Sequence, residues 1–325
     1  METTRPSSMA SVLALVASMA SLASCVGPQG PPGQAGADGA DGANGTVGAW
    51  IDATAYGAVG DGTTDDTAAL QDSLEAGAVQ RRPVYVPSGT YLVSASLELA
   101  LEQVLIGDGR HLSVIRSLSS SALRRAGTLQ HLERVTVRGL GFEGPNDSLN
   151  DLVGIDADSF SYCTFEDVSI RFYRTGILFR RGPSAEACFF NTIRDLYTLG
   201  CMVAVDFDDS NGYSVNACVL DNVIAEDVGV WEGGDGIRLS GYGHTVTGLY
   251  VGFPNGNSAV RIGPVTGNCV LTRVYGESSM AYLFDNTADI SVNGTTNYVI
   301  APHIDSLDML PSAVPGDPYL VFLDG

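Results

Sequence analysis

Lysine is absent from this chain. Its 17 cationic residues are all arginine, against 37 acidic ones, for a net charge of −20 over 325 residues. So acidic a chain makes no natural partner for nucleic acid, whose affinity rests on neutralising phosphates with cations. The missing amine also removes Schiff-base chemistry and one common catalytic base. An acidic polymer would be repelled unless an arginine or metal site met it locally. Histidine is scarce as well, with four residues. His111 and His131 stand isolated, and His303 sits in a closing Ile-Ala-Pro-His-Ile segment.

Long apolar runs are lacking too. Residues 11–23 are apolar and small, too short for a membrane-spanning helix, and Leu22-Ala23-Ser24-Cys25 follows. Residues 1–24 therefore read as a secretory signal, whose ending resembles the bacterial lipobox. That resemblance implies a lipid on Cys25 and a protein anchored to the cell envelope, at the outer membrane or cell surface, without spanning it. Glycines 27, 30, 33, 36, 39, 42, 45 and 48 then keep strict period three. Only glycine fits a collagen axis, so residues 25–48 predict an anchor plus a three-chain stalk roughly 70 Å long. A flexible glycine-rich linker is the plainer reading of the same pattern. A trimeric domain behind it would favour the triple helix by raising local concentration.

Residues 55–71 read Ala-Tyr-Gly-Ala-Val-Gly-Asp-Gly-Thr-Thr-Asp-Asp-Thr-Ala-Ala-Leu-Gln, and Val-Tyr-Val-Pro-Ser-Gly-Thr-Tyr follows from Val84. Asp65 and Asp66 stand where N-cap and first-turn carboxylates belong, ahead of a short helix over residues 67–75. Asp61, Asp65 and Asp66 read as cap and turn residues. This head resembles that of the pectate-lyase superfamily, the right-handed parallel β-helix proteins that include polysaccharide lyases, polygalacturonase-like hydrolases and phage tailspikes. The resemblance implies an all-β, single-stranded right-handed solenoid over residues 49–325 with a short N-terminal capping helix. It implies polysaccharide as partner and a homotrimer, but not one reaction.

From about residue 132 the sequence repeats roughly every 25 residues, as stacked solenoid coils do. First strands align at 165–170, 193–198, 220–225, 246–251 and 271–276; second strands align at 176–179, 204–207, 236–239, 259–262 and 281–284. Alternation puts Val168, Leu196, Val223, Leu249 and Val274 in one inward column, and Ile177, Val205, Ile237, Val260 and Tyr282 in another. Cys163, Asn191, Cys218, His244 and Cys269 share an inward column beside a turn. Its cysteines are two coils apart, about 9–10 Å, beyond disulfide reach. Whether Cys188 and Cys201 pair stays open. The tail run 319–323 is expected to return over the open end of the solenoid.

Two outward faces could carry function. On the first strand Ser169, Tyr197, Ile224, Tyr250 and Tyr275 form a column beside Glu226 and Glu277. Tyrosine rings next to carboxylates suit a sugar-binding face, although ring stacking or a trimer interface would look the same. On the second strand, Asp206, Asp208 and Asp209 lie beside Arg238 and Arg261, with Ser240 and Leu283 in the same outward columns. A hydrolase needs one protonated and one ionised carboxylate. A lyase needs a base and a cation, an arginine or Ca²⁺, to neutralise the uronate. The patch suits either, and equally a solvated salt-bridge ladder. Asp208-Asp209, Gly243-His244-Thr245 and Arg261-Ile262-Gly263 echo polygalacturonase motifs, yet Asn-Thr-Asp, the second glycine and the lysine are missing. The expectation is binding and cleavage of a polysaccharide, with no cofactor beyond Ca²⁺ in the lyase case. The alternative is a non-catalytic glycan-binding spike, adhesin or envelope protein.

Overall fold

The computed structural model describes residues 49–146, 151–181, 188–208, 210, 215–228, 234–252 and 258–276, and the backbone of strands Tyr282–Asn286, Asn297–Ile300, His303–Ile304 and Leu320–Leu323. All fall within the unit Gly48–Gly325. The expected leader, Cys25 and the glycine-repeat stalk lie outside the described residues, as do Asp209 and Glu277.

The head folds as its turn chemistry dictates. Asp61 accepts the Thr63 and Thr64 amides, and Asp65 accepts the Thr67 amide, closing tight loops before the helix. Asp66 occupies the N-cap but its carboxylate serves elsewhere, accepting the Val59 and Gly60 amides at 2.7 and 3.1 Å. The helix runs Thr67–Gln80, five residues beyond the expected end. It continues through Gly77, a poor helix former. Its missing side chain lets the helix close on the sheet, since a Cβ there would lie 2.5 Å from Val84 Cγ2.

Behind the head the chain winds a right-handed parallel β-helix. One sheet stacks Thr136–Glu143, Thr164–Arg171, Thr192–Leu199, Val219–Glu226, Thr245–Val251 and Val270–Gly276, every pair parallel. The other stacks Val153–Asp158, Thr175–Arg180, Val203–Asp208, Asp235–Tyr242, Ser258–Gly267 and Tyr282–Asn286. Each long strand bends at a left-handed residue (Gly139, Asp167, Asp195, Asn222, Gly248, Arg273), so one strand presents two outward faces. Asp and Asn tolerate that conformation better than most side chains.

The inward column from Val168 to Val274 is in register and buried throughout. The second column holds from Ile177 to Val260 and then departs: Val260 pairs with Phe284, and Tyr282 pairs with Ser258. The aligned repeat had shifted the last coil by two residues, which keeps the face but misplaces the rung. Asp285, not Leu283, is therefore the strand partner of Arg261. Phe179, Phe207 and His244 stack through the core, with centroids 5.3 and 4.6 Å apart. Cys163, Cys188, Cys201, Cys218 and Cys269 are buried free thiols, so Cys188 and Cys201 do not pair. Strand Leu320–Leu323 adds in parallel to Asn297–Ile300, extending the first sheet by one rung.

Candidate functional site

The outer face of the second sheet carries a charged column interrupted by one leucine. Strand pairing lines up Glu98, Arg124, Asp156, Leu178, Asp206, Arg238, Arg261 and Asp285, one per coil. Arg238 Nη1 meets Asp206 Oδ2 at 3.4 Å, and its Nε meets Asp235 Oδ2 at 2.7 Å. Arg261 Nε approaches the same Asp235 oxygen at 3.3 Å, and Ser258 Oγ donates to Asp235 Oδ1 at 2.7 Å. Asp235 is fully buried and clamps both guanidinium groups. The sequence reading missed it because it falls at an inward-facing parity, where an aspartate reads as a turn residue. Ser240, expected outside, is buried at 3 % exposure beside a register shift between Leu239 and Gly241.

Burial decides the state of Asp206. It pushes the carboxyl up to about 6, and the Arg238 charge pulling the other way does not offset it. Asp156 is raised by the same desolvation, against Arg180 at 2.7 Å. Asp208 lies two residues beyond Asp206 on the same strand face and accepts the Ser210 amide at 2.8 Å and its hydroxyl at 2.9 Å. The structure thus brings Asp206, Asp208, Arg238 and Arg261 onto one outward face, as expected.

The first sheet carries a second cluster. Its outward column runs Gly141, Ser169, Tyr197, Ile224, Tyr250 and Tyr275, and the backbone of His303 pairs with Tyr275. Tyr250 and Tyr275 stack at 5.2 Å with planes 9° apart. Tyr197 stands apart from them, two rungs earlier. Its hydroxyl donates to Glu226 Oε2 at 2.7 Å, and burial with that hydrogen bond raises it to about 12.

Ser169 is outward but covered. The loop joining strands Val104–Gly107 and Ser113–Ser117 folds over this face, and Ser169 Oγ donates to Arg110 O at 2.7 Å. Gly141 makes room for it, because a Cβ there would lie 2.5 Å from that carbonyl. The loop is also pinned by Arg110 Nη1, which donates to Asp195 O at 2.9 Å. His111, read as isolated, is not. Its Nδ1 lies 2.8 Å from Arg171 Nη2, and its ring meets Tyr197 edge-on at 6.0 Å. Burial, then Arg171 and Arg110, hold the imidazole below its ordinary value. No spacing in the sequence announces this contact between residues 60 positions apart.

Asn191 and His244 play equivalent structural parts in the core. Asn191 Oδ1 accepts the Cys163 amide at 3.0 Å and its Nδ2 donates to Phe160 O at 2.8 Å. His244 Nδ1 accepts the Cys218 amide at 3.3 Å and its Nε2 lies 3.0 Å from Ser240 O. The polygalacturonase-like motif therefore delivers a buried scaffold histidine. Among the described residues, no three carboxylate, imidazole or thiol side chains converge to hold a metal ion.

A family model, rhamnogalacturonase A/epimerase, pectate lyase-like, matches residues 50–263. The preneck appendage protein of Bacillus phage PZA is 40% identical over 86 residues, which is 26% of this chain and 9% of that protein. The chain thus spans under a tenth of the length of that curated relative. Among solved structures, the tailspike protein of Acinetobacter baumannii phage AM24 superposes with a TM-score of 0.62 at 13% identity, over 86% of this chain and 53% of the tailspike. The 1,3-α-1,4-β-D-galactose-4-sulfate-3,6-anhydro-D-galactose-2-sulfate 4 galactohydrolase superposes with a TM-score of 0.58 at 14% identity, over 72% of this chain and 59% of that enzyme. At such identities the superpositions speak for the fold.

Proposed function

The chain belongs to the rhamnogalacturonase A/epimerase, pectate lyase-like family, and from that premise we propose that it binds and hydrolyses a polysaccharide on the outer face of its second sheet. The observation that carries this is the Asp206 carboxyl, raised to about 6 by burial beside Arg238. A carboxyl so placed keeps a proton available in mildly acidic water and can deliver it to a leaving glycosidic oxygen. Asp208, two residues along the strand, stands roughly 6–7 Å away at Cα. An inverting enzyme uses two carboxyl groups with water between them, and two aspartates at neighbouring outward positions of one strand can take those parts. Asp208 then draws the proton from the attacking water, while Arg238 steadies the Asp206 carboxylate left behind. Asp235, which also engages Arg261, holds Arg238 in place.

A second reading, a non-catalytic glycan-binding spike, is favoured by a different observation. Asp235 already engages both Arg238 and Arg261, as a purely structural ladder would. Lipidation at Cys25, a collagen-like stalk over residues 27–48 and a homotrimer belong to the proposal with either reading, on the strength of the sequence pattern. The test is incubation of the full chain and its Asp206→Asn variant with a polysaccharide panel, with and without Ca²⁺, following reducing ends and the ultraviolet absorbance of unsaturated uronates. Reducing ends lost in the variant support hydrolysis. Absorbance would replace it with β-elimination, and binding without either signal would leave the spike.

A further inference from the structure

The loop laid over the first sheet builds a cationic site that the proposed chemistry does not use. Two guanidinium groups, on Arg110 and Arg171, each lie 5.9 Å from the centroid of the Tyr197 ring. Arg110 has a carboxylate neighbour, Asp167 at 3.5 Å, but that side chain is 45% exposed. Arg171 has no carboxylate within ion-pair distance among the described residues. Among the described residues, one of its five donors finds an acceptor, the His111 imidazole. Its Nε is shut off from water and has no hydrogen-bond partner among the described residues. A half-buried guanidinium facing a neutral ring in a chain of net charge −20 is the reverse of the arrangement on the second sheet. There Arg180, Arg238 and Arg261 each meet an aspartate.

The site is built rather than accidental. Three coils contribute: the loop brings Arg110 and His111, the strand Thr164–Arg171 brings Arg171, and Thr192–Leu199 brings Tyr197. Gly141, Ser169 and the Asp195 carbonyl fix the loop over them. The same outward column then leads away to the stacked Tyr250 and Tyr275, two and three rungs on, or about 10–15 Å along the axis.

We infer that Arg110, His111, Arg171 and Tyr197 form a subsite for the carboxylate or sulfate group of an acidic saccharide, with the rest of the glycan running along the axis towards Tyr250 and Tyr275. Guanidinium forks match planar or tetrahedral oxyanions through paired charge-assisted hydrogen bonds. Stacked rings offer apolar faces to sugars. The inference rests on the glycan-binding reading and names the class of glycan.

The experiment measures binding of the full chain by calorimetry to three size-matched probes: an oligogalacturonate, a sulfated galactan oligosaccharide and a neutral malto-oligosaccharide. At least one acidic probe binds more tightly than the neutral one. Arg171→Gln weakens it by about tenfold or more, the loss of a charge-assisted hydrogen bond, and leaves neutral binding unchanged. Arg81→Gln, an identical charge change at the exposed helix end, does not. Should Arg171→Gln lower the melting temperature, Arg171→Lys keeps the charge, loses the fork and abolishes most of the preference. Carboxylate and sulfate probes separate the two oxyanions, and success with either supports the subsite. Equal affinity for acidic and neutral probes overturns it while sparing glycan binding. An acidic preference that survives both Arg171 variants also overturns it. Silence from all three probes overturns the glycan reading and the subsite together.

Discussion

Replacing His244 with asparagine removes an acid-sensitive prop from the solenoid core while keeping its hydrogen bonds. The ring is fully buried, stacks on Phe207 at 4.6 Å, accepts the Cys218 amide and caps Ser240 O. Burial holds its pKa down to about 4, against roughly 6.5 in an unfolded chain. A depressed base favours the fold while neutral, so its contribution is complete above pH 6.5 and is lost as the pH falls from 6.5 towards 4. Linkage makes the loss about 2 kcal/mol between pH 7 and pH 5, a large part of ordinary stability. Asn191 already does the same hydrogen bonding with an amide in the same column. His244→Asn therefore forfeits ring packing at every pH, about 1–3 kcal/mol, and flattens the acid limb. Urea midpoints of both proteins at pH 7, 6 and 5 give the difference, in which all other titrating groups cancel. Parallel losses in the two proteins would refute the buried neutral imidazole.

Three further outcomes are expected. Cleavage of polysaccharide by the wild type declines as the pH rises through about 6, where Asp206 gives up its proton. Because a raised acid costs the fold stability above that pH, Asp206→Asn eliminates turnover and raises the melting temperature at pH 8; unchanged kcat in the variant would end its role as acid. Gly141→Ala pushes a methyl group against Arg110 O, costs about 1–3 kcal/mol and opens the loop, which limited trypsin digestion reads as new cleavage after Arg110. Of the six cysteines, five are buried, with thiols at Cys163, Cys201 and Cys218 pushed up to about 12. A thiol reagent should thus label no more than Cys25 before denaturation, and rapid labelling of several would contradict the burial.

The solenoid was readable because its information is periodic. Val168, Leu196, Val223, Leu249 and Val274 recur at the same point of each coil, and one alternation rule sorts inside from outside. The Asp206–Arg238 pairing followed from the same rule, since neighbours in a column are neighbours in space. Where periodicity ends, so did legibility. The Arg110 loop belongs to no repeat, and its reach to Arg171 and Tyr197 depends on backbone carbonyls and on a missing Cβ at Gly141. Asp235 was hidden because it falls at an inward-facing parity, while its partners come from its own strand and the next one. The shift from Tyr282 to Phe284 falls on the strand Ser258–Gly267, whose register becomes irregular just beyond the paired segment, between Ile262 and Thr266.

A stack in which each coil touches only its neighbours loses order from its ends inward. The Arg110 cluster is complete once the strand Thr192–Leu199 is laid down, whereas the Asp206 patch waits for Arg261 on a coil nearer the far end. Fraying from the C-terminal side would part Tyr275 first, then dismantle the Asp206 patch, and only later reach the Arg110 cluster. The two outward faces thus sit at different depths of the same cooperative ladder, and a protein partly unwound at its tip would keep the Arg110 cluster after losing the Asp206 patch.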